Sequence, residues 1–363
     1  MLTFKTKRTL LQILPFGLIS LVASVVYNLL EKGILADHPV YPSTGNTYYF
    51  RIVVPALISF VIGLLIGLFE VRFFSNRFKG GSLIVKILSK TVLYLLMIVL
   101  AMFIIITLSN AANMGVSPFS KEVWDDFTAF FTNFAFISVL IYFAVAIGVC
   151  LFFNEVSNNM GQAVLQNFLW GKYHTPKEEE RVYMFLDMRS STTLAEQLGH
   201  VKYFKMLNEY YKDLSDPIIS YGGEIYQYVG DEVVISWKVK EGFANNCLDC
   251  FYAMKNALQK QSSKYEERYH VVPTFKAGIH LGKVTAGEIG VLKKDIVFSG
   301  DVLNTTARIQ GLCNQYGVDL LASEQFIQAL ALNGSIVPKE LGEVALRGRN
   351  EKINIYTRTE EDK

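Results

Sequence analysis

Four runs of apolar residues, at about 10–30, 52–74, 87–108 and 130–153, dominate the first half of the chain. Each is long enough to cross roughly 30 Å of hydrocarbon as a helix. They predict an all-α membrane domain of four helices over residues 1–153. The first run exceeds the core of a removable signal peptide and lacks a small-residue cleavage site. From Asn154 the pattern turns polar. Apolar positions then recur at 160, 164, 165, 168 and 169, the spacing of one helical face, which predicts a connector helix within 154–180. Gly171 ends it, and Trp170 and Tyr173 are placed at the membrane interface. A charged run, 177–181, leads into the second half. There, strands are expected at 182–187, 224–229, 232–237, 274–281, 283–288, 294–298, 318–322 and in pieces of 336–357. Helices are expected at about 200–220, 242–261, 301–315 and 323–331. Strand pairs with helices between them predict an α+β domain over 181–358 with a largely antiparallel sheet, followed by a charged tail at 359–363.

Of the 363 residues 51% are hydrophobic, an excess that sits in the front half. A net charge of +2 gives no reason to expect a nucleic acid partner. Basic residues decide the orientation. Lys5, Lys7 and Arg8 precede the first span, and Arg72, Arg77, Lys79, Lys86 and Lys90 fall in the second loop. In the first loop Lys32 and Arg51 are offset by Glu31 and Asp37; in the third, Lys121 stands among Glu122, Asp125 and Asp126. Both termini are therefore expected on the cytoplasmic side of a cell inner (plasma) membrane, with the bilayer as a partner of the multi-pass half. No ionisable residue falls in the middle of a span, Glu70 being near an inner end, which disfavours a transporter. An anchor, a dimerisation element or a sensor remain. Gly63-x-x-x-Gly67 in the second span is a spacing that lets two helices approach closely. Cysteines at 150, 247, 250 and 313 form no disulfide framework, and Cys247 and Cys250 fall on an amphipathic stretch as two partly buried helix thiols, the alternative being half of a zinc site.

The chemistry concentrates in two places. Residues 182–187 form an apolar strand ending in Asp187, followed by a small, hydroxyl-bearing turn, Met188-Arg189-Ser190-Ser191-Thr192. Residues 226–231 form a second strand ending in Gly230-Asp231, and a third strand follows at once, which reads as a tight hairpin. If the strands are neighbours, the two carboxylates face each other beside a turn rich in N–H groups, an arrangement suited to a polyphosphate carrying divalent metal. The same pieces are also what an ordinary turn and helix cap look like.

Four motifs in order break that tie. They are Phe185-Leu186-Asp187-Met188-Arg189-Ser190-Ser191-Thr192, Tyr228-Val229-Gly230-Asp231, the stretch 278–287 (GIHLGKVTAG) and the stretch 300–308 (GDVLNTTAR). Together they resemble the class III nucleotidyl cyclases, the adenylate and guanylate cyclase family, over about 180–358. The resemblance implies a ferredoxin-like catalytic domain in which Asp187 and Asp231, helped by the Met188 carbonyl, hold two divalent metal ions, Mg2+ or Mn2+. It implies that Ser190, Ser191 and Thr192 wrap the phosphates, although the family often has Gly-Phe where this chain has Ser190-Ser191. Asn304 and Arg308 match the pair that orients the ribose and stabilises the pentavalent phosphorus; four apart on a predicted helix, they share a face. Arg347 stands where the family has a lysine for the terminal phosphates. Base recognition departs from the pattern. Gln227 replaces the adenylate-type lysine and is not the acidic residue of guanylate cyclases, and Val297 replaces its polar partner. The resemblance implies conversion of ATP to cyclic AMP and pyrophosphate at sites shared by two copies in a homodimer. The alternatives are a guanylate cyclase using GTP, or a receptor-like regulator that binds nucleotide without turnover.

Overall fold

The long apolar runs form helices that outlast the runs themselves. In the computed structural model, which describes residues 3–35, 48–74, 81–131, 134–239, 243–330, 338–346 and 352–358, the chain divides into two units, one of Thr6–Leu165 and one of Gln166–Lys363 together with Met1–Lys5. The first holds α1 (Phe4–Leu35), α2 (Tyr48–Phe69, continued by a π-helical turn over Glu70–Phe74), α3 (Leu83–Met114), α4 (Lys121–Phe131) and α5 (Phe134–Met160). Among the described residues, α1, α2 with its π turn, α3 and α5 are long and apolar enough to cross a membrane. Their outward side chains are apolar: Leu57, Leu65, Leu96 and Ile141 are all more than half exposed, at 54–62%. Inside, Phe16, Tyr94, Ile147, Cys150 and Leu151 form the core.

One sequence expectation is corrected in this unit. Lys90 is not a loop residue: it lies one turn and more inside α3, buried, with Nζ 2.5 Å from Glu70 Oε1 and 3.2 Å from Glu155 Oε1. Tyr94 donates to the other Glu70 oxygen at 2.8 Å. A buried cation persists only when paired; α3 itself starts before its apolar run, where the Ser82 side chain caps it by accepting from the Val85 N–H. The glycine motif is taken up inside the chain. A Cβ on Gly63 would lie 2.6 Å from the Phe16 carbonyl and the Ser20 hydroxyl, and one on Gly67 would lie 3.0 Å from the Phe16 ring. The small residues thus let α2 lie against α1. The third loop contains a helix, α4, that the charged pattern did not suggest.

The fifth helix runs through Met160 and breaks at Gly161 (φ +88), after which α6 (Gln162–Leu169) follows. The second unit then builds β1 (Lys177–Met188), α7 (Ser191–Leu198), α8 (His200–Ser220), β2 (Glu224–Val229), β3 (Glu232–Lys238), α9 (Phe243–Lys260) and α10 (Ser262–Tyr269). It continues with β4 (Phe275–Ile289), β5 (Asp295–Ser299), α11 (Asp301–Gly311), α12 (Cys313–Tyr316), β6 (Leu320–Ser323), α13 (Glu324–Gln328), β7 (Pro338–Ala345) and β8 (Lys352–Arg358). The sheet order is β2-β3-β1-β4-β6-β8-β7, with β5 paired to β4. The first four strands and the helices between them are the βαββαβ unit of a ferredoxin-like fold, antiparallel except where β4 meets β6.

Strict alternation along β1 divides the two faces. Val182, Met184 and Leu186 join the core that includes Met206, Tyr210, Cys247, Cys250 and Phe251 of α8 and α9. Tyr183 and Phe185 point the other way, into a cluster with Val302 and Leu303 of α11. The two thiols of α9 lie on a helix as expected, and both are fully buried. Three further expectations change. The break foreseen at Gly282 is absent and β4 is one strand of 15 residues. The charged run 177–181 is the first half of β1, with Arg181 only 1% exposed. Tyr173 is fully buried in this unit, its ring 6.3 Å from Phe298, rather than set at a membrane interface.

Candidate functional site

Antiparallel pairing sets the site. In the register between β1 and β3, Asp187 lies opposite Glu232, so Asp231 in the β2–β3 turn is its immediate neighbour. The turn exists because Gly230 takes φ +64, a conformation that costs a side-chain-bearing residue about 1–2 kcal/mol. Tyr211 of α8 fastens it, donating its hydroxyl to the Gly230 carbonyl at 2.8 Å while its ring meets Tyr228 at a tilt, centroids 4.4 Å apart. The Asp187 and Asp231 carboxyls are close enough to act on each other's charge. Burial first, and Asp231 second, push the Asp187 carboxyl above its usual range. Lys276, opposite Asp187 on β4, offsets part of this from 3.3 Å. Glu232 is pushed up to about 6 by burial and by the same two aspartates. Three acids crowded at one corner of a sheet mark a place where negative charge is held in excess.

Sequence reasoning missed two further residues here. Gln310 of α11 donates Nε2 to Asp187 Oδ2 at 3.1 Å, and the Lys276 ion pair falls on the same oxygen. Neither had a sequence signal, because both reach Asp187 from elements distant along the chain.

The turn after β1 is also tied down. Arg189 is tied back by its N–H to the Thr274 carbonyl (2.9 Å) and by its guanidinium to Asp319 (2.6 Å). Ser190 then adopts φ +54, and α7 begins at Ser191 with no side-chain cap. The first N–H groups of a helix have no intrahelical partner, so those at the start of α7 are left for solvent or a ligand. The expected turn over 189–192 is thus a turn and the first residues of a helix. The Met188 side chain is buried in the core, which leaves only its backbone for the site.

Asn304 and Arg308 lie on α11, as expected, but not toward the aspartates of their own chain. Gln310 is the α11 residue that reaches Asp187; Arg308 and Asn304 point about 160° and 120° around the helix from it. Asn304 is exposed, and Arg308 Nη1 is buried with no hydrogen-bond partner among the described residues. Gln227 is exposed and Val297 half-buried. Their chain neighbours Tyr226 and Phe298 meet ring to ring at 5.1 Å, and the Phe298 N–H reaches the Tyr226 hydroxyl at 3.3 Å, which ties β2 to β5. Arg347 lies outside the described residues.

A divalent metal fits the pair of aspartates. Asp231 Oδ2 is buried with no hydrogen-bond partner among the described residues, and the neighbouring carboxyls repel unless a proton or cation lies between them. Among the described residues no group of three or more His, Cys, Asp or Glu side chains forms a closed metal nest. Ions held here would therefore be completed by backbone, water and ligand oxygens, the habit of Mg2+ at phosphate sites.

Comparison with known proteins bears on the second unit as a whole. Residues 174–358 match the family described as the adenylate and guanylate cyclase catalytic domain. The chain is 33% identical to Adenylate cyclase 2 of Rhizobium meliloti (strain 1021) over 224 residues, 61% of this chain and 62% of that protein. It is 28% identical to an Adenylate cyclase of Anabaena cylindrica over 179 residues, 48% of this chain and 35% of that protein. It thus spans about three-fifths of the first relative's length and about a third of the second's. Among solved structures, the adenylyl cyclase CyaB from P. aeruginosa aligns over 52% of this chain and 97% of its own, with 21% identity and a TM-score of 0.46.

Proposed function

This chain belongs to the adenylate and guanylate cyclase catalytic domain family, and from that premise we propose that it is a membrane-anchored adenylate cyclase working as a homodimer. The observation that carries the reading is the closeness of Asp187 and Asp231, with a buried, unpartnered oxygen on Asp231. Substrate is ATP and the products are cyclic AMP and pyrophosphate. The ribose 3′-hydroxyl gives up its proton to solvent, its oxygen bonds to the α-phosphorus, the bond from that phosphorus to the bridging oxygen breaks, and pyrophosphate leaves with the electron pair. Two Mg2+ or Mn2+ ions, when bound, supply Lewis acidity to the hydroxyl and neutralise phosphate charge.

The chain's own groups do the rest. Asp187 and Asp231 hold the cations, joined by the Met188 carbonyl. Ser190, Ser191 and Thr192 receive the phosphates on N–H and hydroxyl groups at the start of α7, and Arg347 neutralises their far end. Asn304 orients the ribose, and the Arg308 guanidinium meets charge growing on the α-phosphoryl oxygens. Because Asn304 and Arg308 turn away from the aspartates beside them, they serve the site of a second copy, which supports a two-fold dimer with two shared sites. Gln227 donates and accepts at the base edge, with Val297 packing against it. The preference for ATP is supported by the relatives named adenylate cyclases. Four apolar helices and the Lys and Arg distribution support insertion in the inner (plasma) membrane with both termini cytoplasmic.

Full chain in detergent, given Mn2+ with ATP or GTP side by side, tests the reading. Cyclic AMP outpaces cyclic GMP; the reverse ratio makes the protein a guanylate cyclase, and nucleotide binding without either product makes it a regulator. Asp187→Ala removes product, and Arg308→Ala lowers turnover by about 10²–10³. Mixing these two inactive chains restores activity, because one intact site forms from the aspartates of one and the Asn304–Arg308 pair of the other. No recovery on mixing contradicts the shared site.

A further inference from the structure

We infer that Gln310 is a positioning residue for the metal-holding carboxylate of its own chain, although it sits on the helix whose Asn304 and Arg308 serve the other site. The inference rests on the cyclase reading and extends it to a residue outside the motifs that carry that reading. Asp187 Oδ2 receives two groups: Gln310 Nε2 at 3.1 Å and Lys276 Nζ at 3.3 Å. With that oxygen held twice, the carboxyl's remaining capacity is turned toward Asp231, whose charge acts on it. Gln310 is itself only 7% exposed, and α11 is fixed closely at that point. A Cβ on Gly278 of β4 would lie 2.4 Å from the Gln310 backbone nitrogen, so nothing larger than glycine fits beneath the helix there. Gly278 pairs with Phe185, two residues before Asp187 on β1. The amide is therefore delivered by a rigid contact between helix and sheet.

The two donors differ in kind. Lys276 brings positive charge that opposes a cation at Asp187, whereas the neutral Gln310 amide orients the carboxylate without cancelling its charge. Removing them should move cation affinity in opposite directions, which general damage to the site would not do.

The test titrates full-length protein in detergent with Mn2+ in the presence of 3′-deoxy-ATP, which lacks the attacking hydroxyl, and follows free Mn2+ by electron paramagnetic resonance. Gln310→Met keeps the volume and removes the donor; Mn2+ binding weakens about tenfold, the usual cost of losing an outer partner of a metal ligand. Lys276→Met tightens it. An unchanged Mn2+ midpoint in Gln310→Met, or shifts of the same sign in both variants, overturns the inference. Should Gln310→Met lower the melting temperature markedly, Gln310→Asn, whose amide is too short to reach Asp187, gives the same weakening in a polar side chain.

Mixed dimers supply a second readout. Carried on the Arg308→Ala chain, which contributes the aspartates, Gln310→Met lowers mixed-dimer turnover. Carried on the Asp187→Ala chain, it has no carboxylate to position, and turnover matches that of the pair without it. Equal losses in both arrangements would make Gln310 a general support of α11 and overturn the inference. If mixing the parent chains restores nothing, the shared-site reading fails while the Mn2+ titration still decides Gln310.

Discussion

Gly230 sits where the chain must turn with φ +64, and a Cβ there would meet no atom within 4 Å. The cost of Gly230→Ala is therefore conformational and not steric, about 1 kcal/mol of stability. Urea unfolding should show that loss. Turnover should fall further than stability does, since the same torsion aims Asp231 at Asp187. A drop in turnover no larger than the unfolded fraction explains would separate the turn from the site. Single residues also show what can be read without coordinates. Asp187 and Asp231 are legible because strand alternation and a Gly-Asp turn are local patterns. Gln310 and Lys276 are not, because only the packing of α11 on β4 and the β1–β4 register bring them to Asp187. Lys90 was misplaced for a related reason: a lysine near a span end reads as a loop charge until Glu70 and Glu155 are seen on neighbouring helices.

Among elements, β1 shows how a charged stretch becomes structural. Its first residues, Lys177-Glu178-Glu179-Glu180-Arg181, carry no apolar alternation, yet they pair with Ala286 to Gly282 of β4. Glu179 accepts from Lys172, Tyr173 and Arg181, and Arg181 spans on to Glu224 and Ser236. Burial alone would raise the Glu179 carboxyl, but the Lys172 and Arg181 hydrogen bonds outweigh it and hold the group at about 2, against an ordinary 4.5. A carboxyl lowered on folding contributes stability above its unfolded value and loses it as pH falls from about 4.5 toward about 2. Glu179→Gln should thus cost about 3 kcal/mol at pH 7. The cost should shrink through that acid window, as followed by denaturation at a series of pH values. A penalty that stays constant down to pH 2 would mean that shape, not charge, is what Glu179 supplies. Short elements were the harder ones to foresee. Helices α7 and α10 have eight residues each, too few for a periodic apolar face to stand out from the turns beside them.

For the molecule as a whole, the two units have different tasks if the cyclase reading holds. On the proposed reading, the aspartates and the Asn304–Arg308 pair of the sheet unit face different ways, so one copy would hold two half-sites and no whole one. Activity must then depend on encounter between copies, and a half-site has no means of raising its own partner's concentration. Four helices able to cross a membrane confine copies to a surface, where the second encounter takes place at a raised effective concentration. Specific activity measured over a dilution series separates the contributions. Full-length chain reconstituted at fixed density in vesicles should keep constant activity per chain as the vesicles are diluted. Chain lacking residues 1–165 should lose activity per chain on dilution, with sedimentation showing dimers giving way to monomers over the same range. If the shortened chain holds its activity at every dilution that the full chain does, its own interface suffices for assembly. The membrane helices then act through something other than concentration, and Glu70, Lys90 and Glu155 at their buried polar cluster become the residues to vary first.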